Sequence, residues 1–265
     1  MKVGLIGGGK ISEAVISGVI GANFLTGKEL LVSEPDQARA AYLVENYQVA
    51  ILKDNQSAAA SADILILAVK PQIIKKVLTE LNSVLEPGKL VISMVAGIPL
   101  ALLEEFLPHS PVIRVMPNTP CLIGKGISAF SLGSKATEED QAVAQKILIA
   151  LGETICLPET MLDAVTAVSG SGPAYVYLFI EAFIDAGVKI GLPRDIAQKL
   201  VLQTILGSTE LVSKTGKHPA ELKDMVTSPG GTTISALCEM EKSGFRASIF
   251  NGVMAAEQKS KDLSK

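Results

Sequence analysis

A short apolar run, Val3-Gly4-Leu5-Ile6, passes straight into Gly7-Gly8-Gly9 and then into a helix-forming stretch, Lys10-Ile11-Ser12-Glu13-Ala14. A strand that ends on a glycine turn and restarts as a helix predicts the first junction of a parallel α/β sheet. Gly7 permits the tight turn and Gly9 lets a ligand's pyrophosphate approach the backbone. The amides that open the next helix favour negative charge at the same place. Ser12 stands where a third glycine is common, and its small side chain still allows close packing of helix on strand. The competing reading is a glycine turn without a ligand, and the flanking strand and helix argue against it.

The rest of the first half keeps the same rhythm. Apolar runs at Val3 to Ile6, Leu30 to Ser33, Val49 to Leu52, Ile64 to Val69, Leu90 to Met94 and Val112 to Met116 alternate with helical patterns. Most are continuously apolar, as strands buried on both faces must be. A further pair, Ile127 to Ser131 and Thr154 to Cys156, flanks a helix from Thr137 to Ala150 that Thr137 can cap. Beyond Glu159 the strand signals fade. Helices are predicted over Pro173 to Ile190, Arg194 to Lys214, Thr233 to Lys242 and Ala247 to Lys261, with breaks at Gly191 to Pro193 and Gly216 to Pro219. The boundary is placed near Leu157 to Thr160, giving an α/β domain over residues 1–158 and an all-α domain over 159–265. Strongly apolar helices in so small a domain predict burial against a second copy of the chain. The polar end, Lys259 to Lys265, is expected to fray.

Composition removes several classes of function. The formal net charge of −3, from 24 basic and 27 acidic side chains, provides no basic field for a nucleic acid. The three cysteines, Cys121, Cys156 and Cys238, are odd in number and far apart, which suits a reducing cytoplasm and neither a disulfide framework nor a metal site. The glycine cluster follows Ile6 without the apolar core of a signal peptide, and apolar stretches such as Ile64 to Val69 are too short to cross a bilayer.

At the end of the second strand, Ser33-Glu34-Pro35-Asp36 falls where folds of this kind read the adenosine ribose. The Glu34 carboxylate can accept from both ribose hydroxyls, which suits NAD and would repel the 2′-phosphate of NADP. Ser33, Lys10 and the more distant Arg39 point the other way, so cofactor preference stays open at this level. The bland alternative for Glu34 is a solvated residue at a strand end.

Two polar glycine segments occur in the helical half, Ser169-Gly170-Ser171-Gly172-Pro173 and Ser228-Pro229-Gly230-Gly231-Thr232-Thr233. Each is predicted to open a helix, and such N-termini can hold a small carboxylate without lysine or arginine. Each alone reads equally well as a capped helix; two in one small domain favour a site. His109 and His218, the only histidines, lie beside or near prolines without catalytic partners and read as structural. No HExxH motif, cysteine cluster or paired carboxylates are present, so metal and strong-base chemistry are disfavoured. What fits is hydride addition to an already electrophilic carbon, such as that of a protonated imine, with the protein positioning the reactants.

The chain resembles the pyrroline-5-carboxylate reductase family over nearly its whole length. The resemblance rests on Ile6-Gly7-Gly8-Gly9, Ala68-Val69-Lys70-Pro71-Gln72, Arg114-Val115-Met116-Pro117-Asn118-Thr119-Pro120 and Ser169 to Tyr175. Its most specific part runs from Leu222-Lys223-Asp224 through Thr227 to Thr233 and on to Gly244-Phe245-Arg246. It implies a Rossmann-type dinucleotide-binding domain followed by an all-α dimerisation and substrate-binding domain. The implied reaction is reduction of 1-pyrroline-5-carboxylate to L-proline, the last step of proline biosynthesis, with NADP as NADPH first and NAD as NADH also open. The implied assembly is a homodimer with interlocked helical domains, often built into a decamer of five dimers.

The resemblance also implies roles for residues. Gly7, Gly8, Gly9, Lys10 and Ile11 would take the pyrophosphate, Ser33 and Glu34 the ribose end, and Asn55 the adenosine side. Ala68, Val69, Lys70 and Pro71, with Ala96 and Gly97, would line the route to the nicotinamide. Ser228, Gly230, Gly231, Thr232 and Thr233 would bind the substrate carboxylate, closing onto the other subunit's cofactor. Ser171 and Gly172 would shape the floor of the site, and Thr233 would donate to the ring nitrogen as the catalytic residue. Glu34 departs from the family pattern and weakens the implied preference for NADPH. Two other readings compete. A β-hydroxyacid dehydrogenase needs a lysine at the substrate hydroxyl, and the helix after Gly172 offers Lys189 only at its far end; a noncatalytic dinucleotide sensor has no need of the segment Ser228 to Thr233.

Overall fold

The computed structural model describes residues Met1–Leu263 and divides into two compact units. The first comprises Met1–Ser171 together with the C-terminal stretch from Ala256; the second is Gly172–Ala255.

The first unit is built on an eight-stranded sheet. Its strands are β1 (Val3–Ile6), β2 (Leu30–Ser33), β3 (Ala50–Leu52), β4 (Ile64–Leu67), β5 (Leu90–Ser93), β6 (Val112–Met116), β7 (Gly126–Leu132) and β8 (Gly152–Cys156), in the order β3-β2-β1-β4-β5-β6-β7-β8. All neighbours are parallel except β6 and β7, which pair antiparallel. The reason is local: β6 and β7 are joined by a tight 3₁₀ turn, Thr119–Ile123, and not by a crossover helix. The other links carry α1 (Lys10–Gly21), α2 (Gln37–Tyr47), α3 (Asn55–Ser61), α4 (Ile74–Asn82), α5 (Leu100–Phe106) and α6 (Glu138–Ile149).

Alternation along β1 divides the core. Val3 and Leu5 join residues of α1 and α6 in one cluster, whereas Ile6 joins those of α3, α4 and α5 in the other. Helix starts follow from side-chain caps: Asp36 accepts from Arg39 N, Asp54 from Ser57 N, and Thr137 forms a reciprocal box with Asp140. Past β8, Glu159 accepts from Arg114 Nη1 and from Leu100 N, both at 2.7 Å, and so ties the end of the sheet to the helical stretch that follows.

That stretch differs from the sequence expectation. Ser169 to Gly172 does not open a helix with free amides. Helical backbone runs from Glu159 through α7 (Leu162–Val165), a π-turn at Thr166–Gly170, and α8 (Gly172–Lys189). Ser171 N donates to Thr166 O at 2.8 Å and Ser169 Oγ to Val165 O at 3.1 Å, so this amide and this hydroxyl are spent within the helix. Pro173 lacks an amide hydrogen, which a widened turn immediately before it accommodates. As a result, Glu159–Lys189 is long and apolar enough, by length and composition, to cross a membrane, contrary to the expectation that no such stretch exists.

In the second unit α8 is followed by α9 (Arg194–Thr215), α10 (Pro219–Met225), α11 (Thr232–Lys242) and α12, which begins there and runs Phe245–Leu263 into the first unit. Helix α10 was missed: Gly216 to Pro219 reads as a break, but His218 Nδ1 accepts from Ala220 N and Pro219 occupies the first turn. The expected fraying from Lys259 is also corrected. Helix continues to Leu263, with Ser260 buried against Asp163 at 2.6 Å and Lys261 paired with Glu257; Ser264 and Lys265 lie outside the described residues. Leu178, Leu206 and Phe250 remain about two-thirds exposed (67%, 64% and 66%), so this unit does not bury its apolar face within one chain.

Phe130 of β7 is fully buried in the first cluster. Phe130→Ala is expected to lower stability by about 3–5 kcal/mol, read from urea unfolding; a loss below 1 kcal/mol would contradict this packing.

Candidate functional site

The strand order reverses direction at β1, with β2 on one side and β4 on the other, and that crossover point is where α/β sheets open a crevice at the carboxyl ends of their strands. Here Gly7 N donates to Ser33 O at 2.9 Å and Ala68 N to Ile6 O at 3.0 Å, which brings the ends of β1, β2 and β4 together. A cleft of about 620 Å³ lies over them. Gly7, Gly9, Ser33, Glu34, Asn55, Ala68, Val69 and Lys70 line it, as the sequence predicts. Gly8, Lys10, Ile11, Pro71, Ala96 and Gly97 do not. Ile11 packs on the core, Lys10 pairs with Glu13, and Ala96 and Gly97 follow the next strand, β5. Lys53 and Lys76 also line the cleft and were not foreseen.

The glycine turn is specified atom by atom. Gly7 has φ +93°, and a Cβ there would meet Ala68 O at 2.8 Å. Gly9 is the opposite case: a Cβ would meet nothing within 4 Å. No protein atom requires glycine at that position, and its place on the cleft leaves the backbone open to approach. Ser12 is fully buried and its hydroxyl donates to Gly7 O, so the unusual third position is a fitted one. Among the described residues no group of three histidine, cysteine or acidic side chains converges as a metal would require.

Glu34 is not a free strand-end carboxylate. Oε2 accepts from Gly8 N at 2.7 Å and Oε1 from Asp36 N at 2.8 Å, leaving further lone pairs toward the cleft. Ser33 Oγ donates to Asn55 Oδ1 and Asn55 Nδ2 donates to Glu80, each at 2.8 Å, so these cleft residues form one chain. Beneath the loop, sequence reasoning missed a buried cluster. Glu13 accepts from Arg39, Lys10, Tyr42 and Tyr47. Burial by itself would raise its carboxyl, but the hydrogen bonds from Arg39, Lys10 and Tyr42 outweigh it and hold the pKa down at about 2. The Tyr47 hydroxyl is pushed up to about 12 by its own burial and by the Glu13 charge. The one available signal was an acidic residue, Glu13, set inside the apolar run that opens α1.

The second constellation lies in the helical unit. Gly230 has φ +67°, Gly231 is extended and donates to Ser228 O at 3.1 Å, and α11 begins at Thr232 without a side-chain cap. The first-turn amides of α11, at Thr232 and Thr233, are therefore left without a capping side chain. His218 is the cap of α10, and His109 accepts from Gly88 N through its backbone carbonyl.

A glycine loop at the crossover of a parallel sheet, with open space over Gly9, defines a dinucleotide-binding α/β enzyme. Residues 2–97 match the model for NADP oxidoreductase, coenzyme F420-dependent, and residues 159–263 match that for pyrroline-5-carboxylate reductase dimerisation. A pyrroline-5-carboxylate reductase of Synechocystis is 48% identical, covering 100% of this chain and 99% of its own; one of Arabidopsis thaliana is 45% identical, covering 99% and 95%. The crystal structure of Plasmodium falciparum pyrroline carboxylate reductase with NADP bound superposes with a TM-score of 0.92 at 37% identity, covering 100% of this chain and 98% of its own. The chain belongs to the pyrroline-5-carboxylate reductase family.

The depressed Glu13 carboxyl carries a stability prediction. Its folded pKa lies below the ordinary 4.5, so its contribution is present above that pH and is lost as pH falls toward 2. Glu13→Gln is expected to cost about 2–3 kcal/mol at neutral pH, with the gap from wild type closing between pH 4.5 and 2. Urea unfolding of both proteins at several pH values checks this; a gap independent of pH contradicts it.

Proposed function

We propose that this chain is a pyrroline-5-carboxylate reductase that converts 1-pyrroline-5-carboxylate to L-proline with NADPH, the final step of proline biosynthesis. One observation carries the reading: the relationship extends through both units at 48% identity over the whole chain. The cleft fits the cofactor on its own evidence, since Gly9 leaves room for a pyrophosphate that no protein atom fills. Lys53, Lys70 and Lys76 line the same cleft as Glu34 and supply positive charge for a 2′-phosphate. Glu34 keeps lone pairs for ribose hydroxyls, which favours tolerance of NADH.

When bound, the nicotinamide supplies a hydride to the imine carbon, and a proton on the ring nitrogen completes the secondary amine. Gly7 to Ile11 would hold the pyrophosphate, Ser33, Glu34 and Asn55 the ribose and adenosine, and Ala68 to Pro71 would flank the nicotinamide, with Ala96 and Gly97 after β5 outside the cleft itself. The α11 N-terminus, from Ser228 through Gly230, Gly231 and Thr232, binds the substrate carboxylate through backbone amides and helix dipole. Ser171 and Gly172 shape the floor. The Thr233 hydroxyl donates to the ring nitrogen, orienting the imine and stabilising the product amine. The exposed apolar faces of the helical unit, matched by the dimerisation model, support a homodimer, and five dimers as a decamer is the larger assembly proposed. A dimer interface also accounts for the apolar helix Glu159–Lys189 without a membrane. The three unpaired cysteines support a cytoplasmic enzyme, and the charge balance one without a nucleic-acid partner.

The deciding experiment follows NADPH and NADH oxidation with and without pyrroline-5-carboxylate. Substrate-dependent oxidation is expected; binding of both cofactors without turnover would instead favour a dinucleotide sensor. Thr233→Ala is expected to lower kcat/KM by more than about tenfold with cofactor affinity little changed, and a near wild-type value removes Thr233 from the chemistry. Gly9→Val should leave the far-UV circular dichroism intact and abolish NADPH binding, because its side chain occupies the ligand's space; retained binding would remove Gly9 from the site.

A further inference from the structure

Arg39 does not line the cleft, yet it reaches the glycine loop from α2, about thirty residues away. Its Nε donates to Gly8 O at 2.5 Å and its Nη2 to Gly9 O at 3.2 Å. The same guanidinium pairs with Glu13 at 2.7 Å and lies 4.9 Å from the centre of the Tyr42 ring. Glu13 is held in turn by the Tyr42 and Tyr47 hydroxyls, at 2.9 and 3.2 Å. With Ser12 holding Gly7 O, three successive glycine carbonyls are engaged by fixed side-chain donors.

Three consecutive glycines have more backbone freedom than any other tripeptide, and an unrestrained loop of this kind would rotate its peptides. A carbonyl turned toward a phosphate repels it, and an amide turned toward it attracts it. Freezing the peptide planes beforehand removes an ordering cost that binding would otherwise carry. Arg is suited to this because its planar fork reaches two acceptors in a fixed geometry, as the ammonium of Lys does not.

We propose that Arg39 is a positioning residue for the dinucleotide: anchored by Glu13, its guanidinium holds the Gly8 carbonyl and reinforces the Gly9 carbonyl, which the Glu13 amide also holds, so that the Gly9 and Lys10 amides of those two peptides face the pyrophosphate. The proposal rests on the reading of this cleft as the NADPH site. The Arg39 Nε and Nη2 donors are committed to the loop and to Glu13.

The test is titration of the full chain with NADPH, followed by its fluorescence, for wild type, Arg39→Ala and Arg39→Lys, together with KM and kcat and a thermal midpoint for each. Arg39→Ala should raise the NADPH dissociation constant by about tenfold or more, the scale of a lost charge-assisted hydrogen bond. Arg39→Lys, which keeps the charge but cannot bridge both carbonyls, should fall between Ala and wild type. KM for NADPH should rise more than kcat falls, with KM for pyrroline-5-carboxylate unchanged. A lowered midpoint with unaltered NADPH affinity would show a merely structural residue and overturn the proposal. If Arg39→Ala does not fold, Arg39→Lys decides, and affinity within twofold of wild type overturns the proposal. Wild type that binds neither NADPH nor NADH overturns the cofactor reading itself, whatever the variants do.

Discussion

The first unit depends on how one parallel sheet ends. Parallel strands point all their carboxyl ends to the same edge, and where the order turns from β2 to β1 to β4 the departing segments must part. The backbone leaving β1 has to turn within a residue of the strand, beside the carbonyl of Ser33 and under Ala68. Only a residue without a side chain and with a positive φ fits there, and Gly7 supplies it. Everything assigned to ligand recognition in this unit hangs from that turn.

Stabilising such a turn falls to side chains that do not line the cleft. Ser12, Glu13, Arg39, Tyr42 and Tyr47 form a polar layer against the core, where an unpaired charge would be costly. Glu13 resolves the problem by collecting donors from three directions, and its low carboxyl pKa is the electrostatic expression of that arrangement. The apolar clusters on the two faces of the sheet hold the strands, whereas this polar layer fixes the loop.

Much of this was legible in the sequence because period and punctuation are local. Continuous apolar runs located β1, β2 and β6 to the residue, and Thr137 was recognisable as a cap before Asp140 could be seen to return the bond. Gly7, Gly9, Ser33 and Glu34 were reachable because they lie at strand ends, whereas Asn55, Ala68, Val69 and Lys70 were reached through the family resemblance. What stayed hidden is either long-range or conformationally ambiguous. Arg39 and Glu13 are 26 residues apart, and no local pattern says that they meet. Ser169 to Gly172 carries the letters of a helix cap and adopts a π-turn, because hydroxyls that can cap an N-terminus can also bond back to carbonyls of the preceding turn. Helix α10 was concealed in the same way by Gly216 and Pro219, which mark the end of one helix and the start of the next.

The return of α12 to the first unit has a consequence for biosynthesis. Residues from Ala256 onward belong with Met1–Ser171, where Ser260 seals against Asp163. A ribosome therefore delivers Asp163 before Ser260, with the whole intervening helical unit emerging between them. Until translation reaches Ser260 that contact stays open, with the apolar faces of α8 and α9 already emerged. Completion of the first unit thus follows synthesis of the second.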